Sequence, residues 1–180
     1  MCGKFVLYIA MSLDGYIAGR DGDIAWLERY QDSGDDYGFE EFMGKVNVAV
    51  VGAQTYREML RHPERLLKGV KVYVLSKEQL PVSNGFDVIF YNGALAPLVG
   101  KIRVETAKDV FVVGGGRVAS SFLRERLLDE LRVFVVPILV GEGTLLFSVN
   151  EVVNLELIGS TEYKSGIVEL RYRLKEKTEK

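Results

Sequence analysis

Short apolar runs, most of them rich in β-branched residues, recur along the chain and are separated by segments of helical periodicity. The runs are FVLYIA (5–10), NVAVV (47–51), VKVYVL (70–75), FDVIF (86–90), DVFVV (109–113) and LRVFVVPILV (131–140). Most are continuous rather than alternating, the pattern of a strand covered on both faces in a parallel sheet. Between them, Phe39, Phe42, Met43 and Val46 fall at helical spacing, as do Tyr56, Met59 and Leu60, and Val118, Ala119, Phe122, Leu123 and Leu127. The C-terminus changes character. Val168, Leu170, Tyr172 and Leu174 face one way and Glu169, Arg171 and Arg173 the other, and VVNLELI alternates before a turn at TEYKSG. The pattern predicts a three-layer α/β/α domain over residues 1–174, with a mainly parallel mixed sheet and an antiparallel C-terminal strand pair, and a polar tail at 175–180.

Composition narrows the picture. With 180 residues, 48% hydrophobic and 27% charged, the chain suits one globular domain. A net charge of -2 argues against a sequence-independent nucleic-acid binder. One cysteine, Cys2, and one histidine, His62, rule out an internal disulfide framework and give too few ligands for a Cys/His zinc site. The expected compartment is the cytoplasm. No apolar run reaches the ~20 residues that span a bilayer. The N-terminus has no basic leader region and reads as the first strand.

The densest candidate for chemistry is DVFVVGGGRVASSFL (109–123). A strand that ends in Gly114, Gly115 and Gly116 and runs straight into a helix exposes main-chain N–H groups at a helix N-terminus, where the dipole also favours an anion. A Cβ would hold a phosphate away and would forbid unusual φ values. The plainer reading is a tight turn that needs positive φ; Arg117, a cation at the same mouth, favours phosphate. GGGRVA fits the Rossmann fingerprint only loosely. No acidic residue ends the next strand, and the glycines come late in the chain.

AMSLDGYIAG (10–19), FMGKVNVAVVGAQTY (42–56), VYVLSKE (72–78), VFVVGGGRVASSFL (110–123) and LLDELRVFVVPILVGEGTLLF (127–147) follow in this order. Together they resemble the dihydrofolate-reductase-like superfamily, in its branch with the C-terminal reductase domain of riboflavin biosynthesis and stand-alone reductases. The resemblance implies NADPH bound across the carboxyl ends of the strands, with NADH as the alternative. It assigns the pyrophosphate to Gly114, Gly115, Gly116, Arg117, Val118 and Ala119, with a cis peptide at Gly114–Gly115. It assigns the nicotinamide to Ala10, Ile17 and Ala18, further phosphate contact to Gly52, Thr55 and Tyr56, and the 2′-phosphate to Ser76 and Lys77. It also implies a carboxyl group beneath the substrate on the helix after the first strand, for which Asp36 and Glu40 are the candidates, and a tryptophan beside the substrate, matched by Trp26. Against these stand plainer readings: Asp36 as a helix cap, Glu40 as solvent-exposed and Trp26 as a core aromatic. Asp14 reads as a turn residue, His62 as an exposed helix end, Glu130 as a helix end, Gly141 and Gly143 as a turn or bulge, and Cys2 as incidental.

Two positions depart from the family pattern. Ala53 stands where an arginine is usual, and Val113 where the riboflavin enzymes carry a glutamate, which argues against the riboflavin-pathway substrate. The expected function is an NAD(P)H-dependent reductase of a small pterin-like or pyrimidine-like heterocycle, as a homodimer without nucleic-acid or membrane partners. The alternative is a dinucleotide-binding module without turnover.

Overall fold

The computed structural model describes residues 3–31, 34–62 and 67–175; Cys2 and the tail beyond Lys175 lie outside the described residues. The strands are β1 (Phe5–Ser12), β2 (Tyr16–Ala18), β3 (Val46–Gly52), β4 (Lys71–Leu75), β5 (Val88–Tyr91), β6 (Asp109–Gly114), β7 (Glu130–Val136), β8 (Thr144–Leu145), β9 (Leu155–Glu162) and β10 (Val168–Leu174). The helices are α1 (Ala25–Gln31), α2 (Phe39–Gly44), α3 (Ala53–Arg61), α4 (Leu95–Glu105) and α5 (Gly116–Arg124). The main sheet has the order β5-β4-β3-β6-β1-β7-β10-β9. Strands β5 through β7 are parallel, β10 is antiparallel to β7, and β9 is antiparallel to β10. This is the expected mixed sheet with its antiparallel C-terminal pair.

The continuous apolar runs are explained by two covered faces. Phe5, Leu7, Val48, Val50, Val110, Val112, Leu131 and Val133 meet α4 and α5 on one face. Val6, Ala49, Phe111 and Phe134 on the other meet α1 and α2, and Val51, Val72 and Val74 meet α3. The chain moves from β1 to β3 and β4 with helices on one face, then from β5 to β6 and β7 with helices on the other. Reversing direction and face together keeps a single crossover hand. The neighbours β3 and β6 send their connections in opposite directions, β3 to β4 and β6 to β7, and open α/β sheets leave a crevice at the carboxyl edge of such a switch point.

Element ends differ from the sequence pattern for local reasons. The run 131–140 stops as a strand at Val136, because Pro137 has no N–H to give the ladder. The apolar stripe of the last helix reaches Leu127, but α5 ends at Arg124. Arg126 takes φ 55, its N–H donates to the Leu123 carbonyl, and the Leu127 N–H donates to Phe122, which is a Schellman stop. Helix α4 escapes the periodicity reading because Pro97 and Gly100 interrupt it; Pro97 sits in the first turn, where its missing N–H costs nothing. Among the described residues, no helix is long and apolar enough to cross a membrane.

Candidate functional site

Strands β3 and β6 are neighbours, with Val51 opposite Gly114, and each runs directly into a helix. The N-termini of α3 and α5 therefore meet at the carboxyl edge. Neither start has a side-chain cap hydrogen bond, so the first N–H groups of both helices lack the usual satisfaction from a capping side chain. Contact is close: a Cβ on Gly52 would lie 3.0 Å from Val118 Cγ2, and one on Gly115 would lie 3.1 Å from Thr55 Oγ1.

The three glycines have separate reasons. Gly114 and Gly115 take φ 96 and 65, conformations that side chains rarely adopt. Gly116 has ordinary helical backbone, but a Cβ there would come 2.2 Å from the Leu145 carbonyl oxygen. The loop after β7 thus runs directly against the start of α5. The expected cis peptide at Gly114–Gly115 is corrected: no cis bond occurs among the described residues, and two successive positive φ angles make the turn instead.

Two loops wall the crevice. The segment after β1 forms β2, which pairs with β8 from the segment after β7 (Tyr16 opposite Leu145, Ala18 opposite Thr144). Asp14 locks them together, its carboxylate accepting from Ser12 Oγ and from the N–H groups of Val140 and Gly141. The Ser12 hydroxyl is the largest cause holding the Asp14 carboxyl below its ordinary value. Gly143 has φ 141, and a Cβ there would strike the Ala18 carbonyl at 2.1 Å. Arg20 and Glu142 close the rim with an ion pair of 2.6 Å. Gly19, Arg20, Gln54, Gly143 and Thr144 line an open cleft of about 460 Å³ here, within the size range of small-molecule sites.

Of the predicted residues, Gly52, Thr55, Gly114, Gly115, Gly116, Arg117 and Val118 come together at the paired helix starts, with Ile17 and Ala18 on the facing loop. Arg117 is exposed. Ala119 and Val118 bury their side chains in the core, so only their main chain could serve a ligand. Tyr56 is corrected to a core residue. It is 2% exposed, packs with Val51, Met59 and Val72, and donates its hydroxyl to the Pro81 carbonyl at 3.0 Å. Ser76 and Lys77 follow β4 at the same edge; the Ser76 hydroxyl closes a local turn with Glu78. Lys77 is exposed.

Ala10, near the end of β1, packs with Trp26 of α1 on the α1–α3 face, with Phe134 and Val136 beneath. The Trp26 indole Nε1 is buried and has no hydrogen-bond partner among the described residues. Asp36 is a cap. Its carboxylate accepts from the N–H groups of Gly38 and Glu40, both at 3.0 Å, and these bonds, Gly38 first, hold its carboxyl below the ordinary value. Glu40 and Asp36 border a second open cleft of about 640 Å³ with Lys164 and Ser165.

Several site residues escaped the sequence reading. Gln54 and Arg20 carry no motif signal. Asp14 was legible as a turn residue, but its second partner lies 127 positions away. Glu169, on the charged face of β10, is 2% exposed and accepts a 2.6 Å hydrogen bond from Arg132 Nε.

The comparisons with known proteins agree with this architecture. The dihydrofolate reductase of Enterococcus faecalis, in complex with NADP(H), superposes with a TM-score of 0.69 at 15% identity over 98% of this chain and 99% of its own, a likeness of fold. A Shewanella sp. PV-4 protein provisionally assigned to riboflavin biosynthesis superposes at 0.86, with 28% identity over 96% of this chain and 99% of its own. The uncharacterised protein YwjB of Bacillus subtilis is 30% identical over 173 residues, 94% of this chain and 97% of its own. Residues 4–169 match the RibD C-terminal domain, and the chain belongs to that reductase-domain family, with the dihydrofolate-reductase-like fold.

Proposed function

We propose that the protein is an NAD(P)H-dependent reductase of a small pyrimidine-like or pterin-like heterocycle. The observation that carries the reading is the meeting of two uncapped helix N-termini, α3 and α5, across Gly52, Gly114 and Gly115. Such a pair supplies main-chain donors and the positive ends of two dipoles to one diphosphate. The residues fit the group: a Cβ at Gly115 would narrow the cradle against Thr55. Arg117 and the Thr55 hydroxyl lie at the same mouth. The 2′-phosphate, where present, falls to Lys77.

When bound, the nicotinamide supplies the hydride. The chain's own residues orient and enclose. Ala10 leaves room at the end of β1, and the β2–β8 pair covers the crevice and excludes water. Trp26 offers its partnerless N–H to an acceptor on the substrate ring. Asp36 is not the proton donor in this proposal: a carboxylate that caps two N–H groups and is held ionised is a poor acid. Glu40, on the rim of the neighbouring cleft, is the remaining carboxyl candidate.

Trp26 is the only tryptophan, so its fluorescence reports binding directly. Saturable quenching by micromolar NADPH, with oxidation of NADPH on adding one of a panel of pterins and aminopyrimidines, supports the proposal. Quenching without turnover on the whole panel supports the binding-module reading, which the capping of Asp36 favours. No quenching by NADPH or NADH sinks both.

A further inference from the structure

On the α1–α3 face of the sheet, around β1, β7, β10 and α2, basic side chains come with matched carboxylates. Arg132 bonds Glu169 at 2.6 Å, Arg173 bonds Glu156 at 2.8 Å, Lys4 bonds Glu130 at 3.0 Å and Lys45 bonds Glu41 at 2.5 Å. Arg171 is the exception. It stands directly opposite Arg132 across the β7–β10 ladder, so two guanidinium groups share one face where like charges repel. The one buried carboxylate between them, Glu169, is engaged by Arg132 Nε. The Arg171 side chain forms no ion pair with the described residues, and its Nε is buried without a hydrogen-bond acceptor.

The surroundings hold this donor in place. Arg171 pairs with Gly159 of β9, and a Cβ there would come 2.5 Å from Nη2, so the guanidinium lies over bare main chain. Arg132 is held on the other side by Tyr8 and Phe42, whose rings its guanidinium covers at 4.9 and 5.8 Å. A buried N–H without an acceptor is costly, as is one guanidinium set opposite another; Glu41 is near enough for both to help hold its carboxyl below the ordinary value, Lys45 being the largest cause, yet it forms its ion pair with Lys45 and not with Arg171. One oxyanion relieves both, because a guanidinium offers a planar fork of donors to two oxygens.

We propose that Arg171, with Arg132 beside it, forms an oxyanion-binding site for the phosphate or carboxylate group of a small molecule, on the sheet face next to α2 and apart from the paired helix starts. The proposal does not depend on dinucleotide binding at those starts.

The test reads the site itself. In the full-length protein labelled with ¹⁵N and ¹³C, the Arg171 Nε–H resonance is assigned through bonds from its own backbone, so no variant has to fold. Inorganic phosphate and acetate are titrated separately, with ionic strength held constant by chloride. The expected result is a saturating shift of the Arg171 Nε–H resonance in at least one titration, while Arg173 Nε–H, already bonded to Glu156, moves little. Response to phosphate alone assigns a phosphate group, and response to acetate alone a carboxylate. No shift with either anion, or a non-saturating drift equal to that of Arg173, overturns the proposal.

Discussion

The Asp14 carboxylate accepts a hydrogen bond of 2.8 Å from the N–H of Gly141, joining the loop after β1 to the loop after β7. Val140 donates to the same carboxylate at 3.1 Å. Replacing Asp14 with Ala removes the acceptor and leaves both strands intact. Amide exchange at Val140 and Gly141 should accelerate while the sheet core stays protected, and NADPH affinity should fall several-fold.

The same contact sets a pH response. The folded Asp14 carboxyl is held below its ordinary value, with Ser12 as the largest cause. Its contribution is complete above the unfolded carboxylate value of about 3.9 and is lost as pH falls through the lower folded value. Exchange at Gly141, corrected for intrinsic chemistry, should be flat from neutral pH down to about 5 and rise only in the acid range. A rise centred near neutrality would contradict the assignment.

Glycine substitutions separate stability from binding. Gly116→Ala forces a Cβ against the Leu145 carbonyl, and such overpacking costs about 1–3 kcal/mol. Gly115→Ala meets backbone strain at φ 65, ψ 150, of order 1–3 kcal/mol, and also narrows the cradle. Both should unfold at lower urea. Of the two, Gly115→Ala should lose more dinucleotide affinity than its stability loss explains, measured by fluorescence titration well below the unfolding midpoint.

Lys77 is exposed at the end of β4. Lys77→Ala should weaken NADPH more than NADH, by several-fold in Kd, without moving Tm. Equal weakening of the two would remove its 2′-phosphate role.

Glu169 is almost wholly buried against Arg132, which is itself only 17% exposed. Glu169→Gln leaves the guanidinium without its counter-charge, and breaking a buried pair from one side costs about 3–5 kcal/mol. Because Arg132 keeps some exposure, the loss should fall at the lower end, read as a reduced midpoint in urea with an unchanged slope.

Much of this protein was legible along the chain. FVLYIA and, after Asp109, VFVV are apolar at every position, the pattern of strands buried on both faces, and with the helical stripes between such runs it made the layered α/β fold readable. The end of β10 was readable from its alternation. Gly114, Gly115 and Gly116 marked the candidate site because a conformation with positive φ, or a close backbone approach, leaves a local trace in residue type. What the tertiary structure alone decided were relations between distant segments. Gly116 is required by Leu145, a residue 29 positions on, so its spacing held no hint of the cause. Asp14 reads locally as a turn, Tyr56 as part of a motif and Glu169 as an outward charge. Their roles as loop anchor, core ring and buried counter-ion depend on which strands become neighbours. Periodicity reports which way a side chain points from its own element; what it meets there is set by the order of strands in the sheet, and that order exists only once the chain has folded.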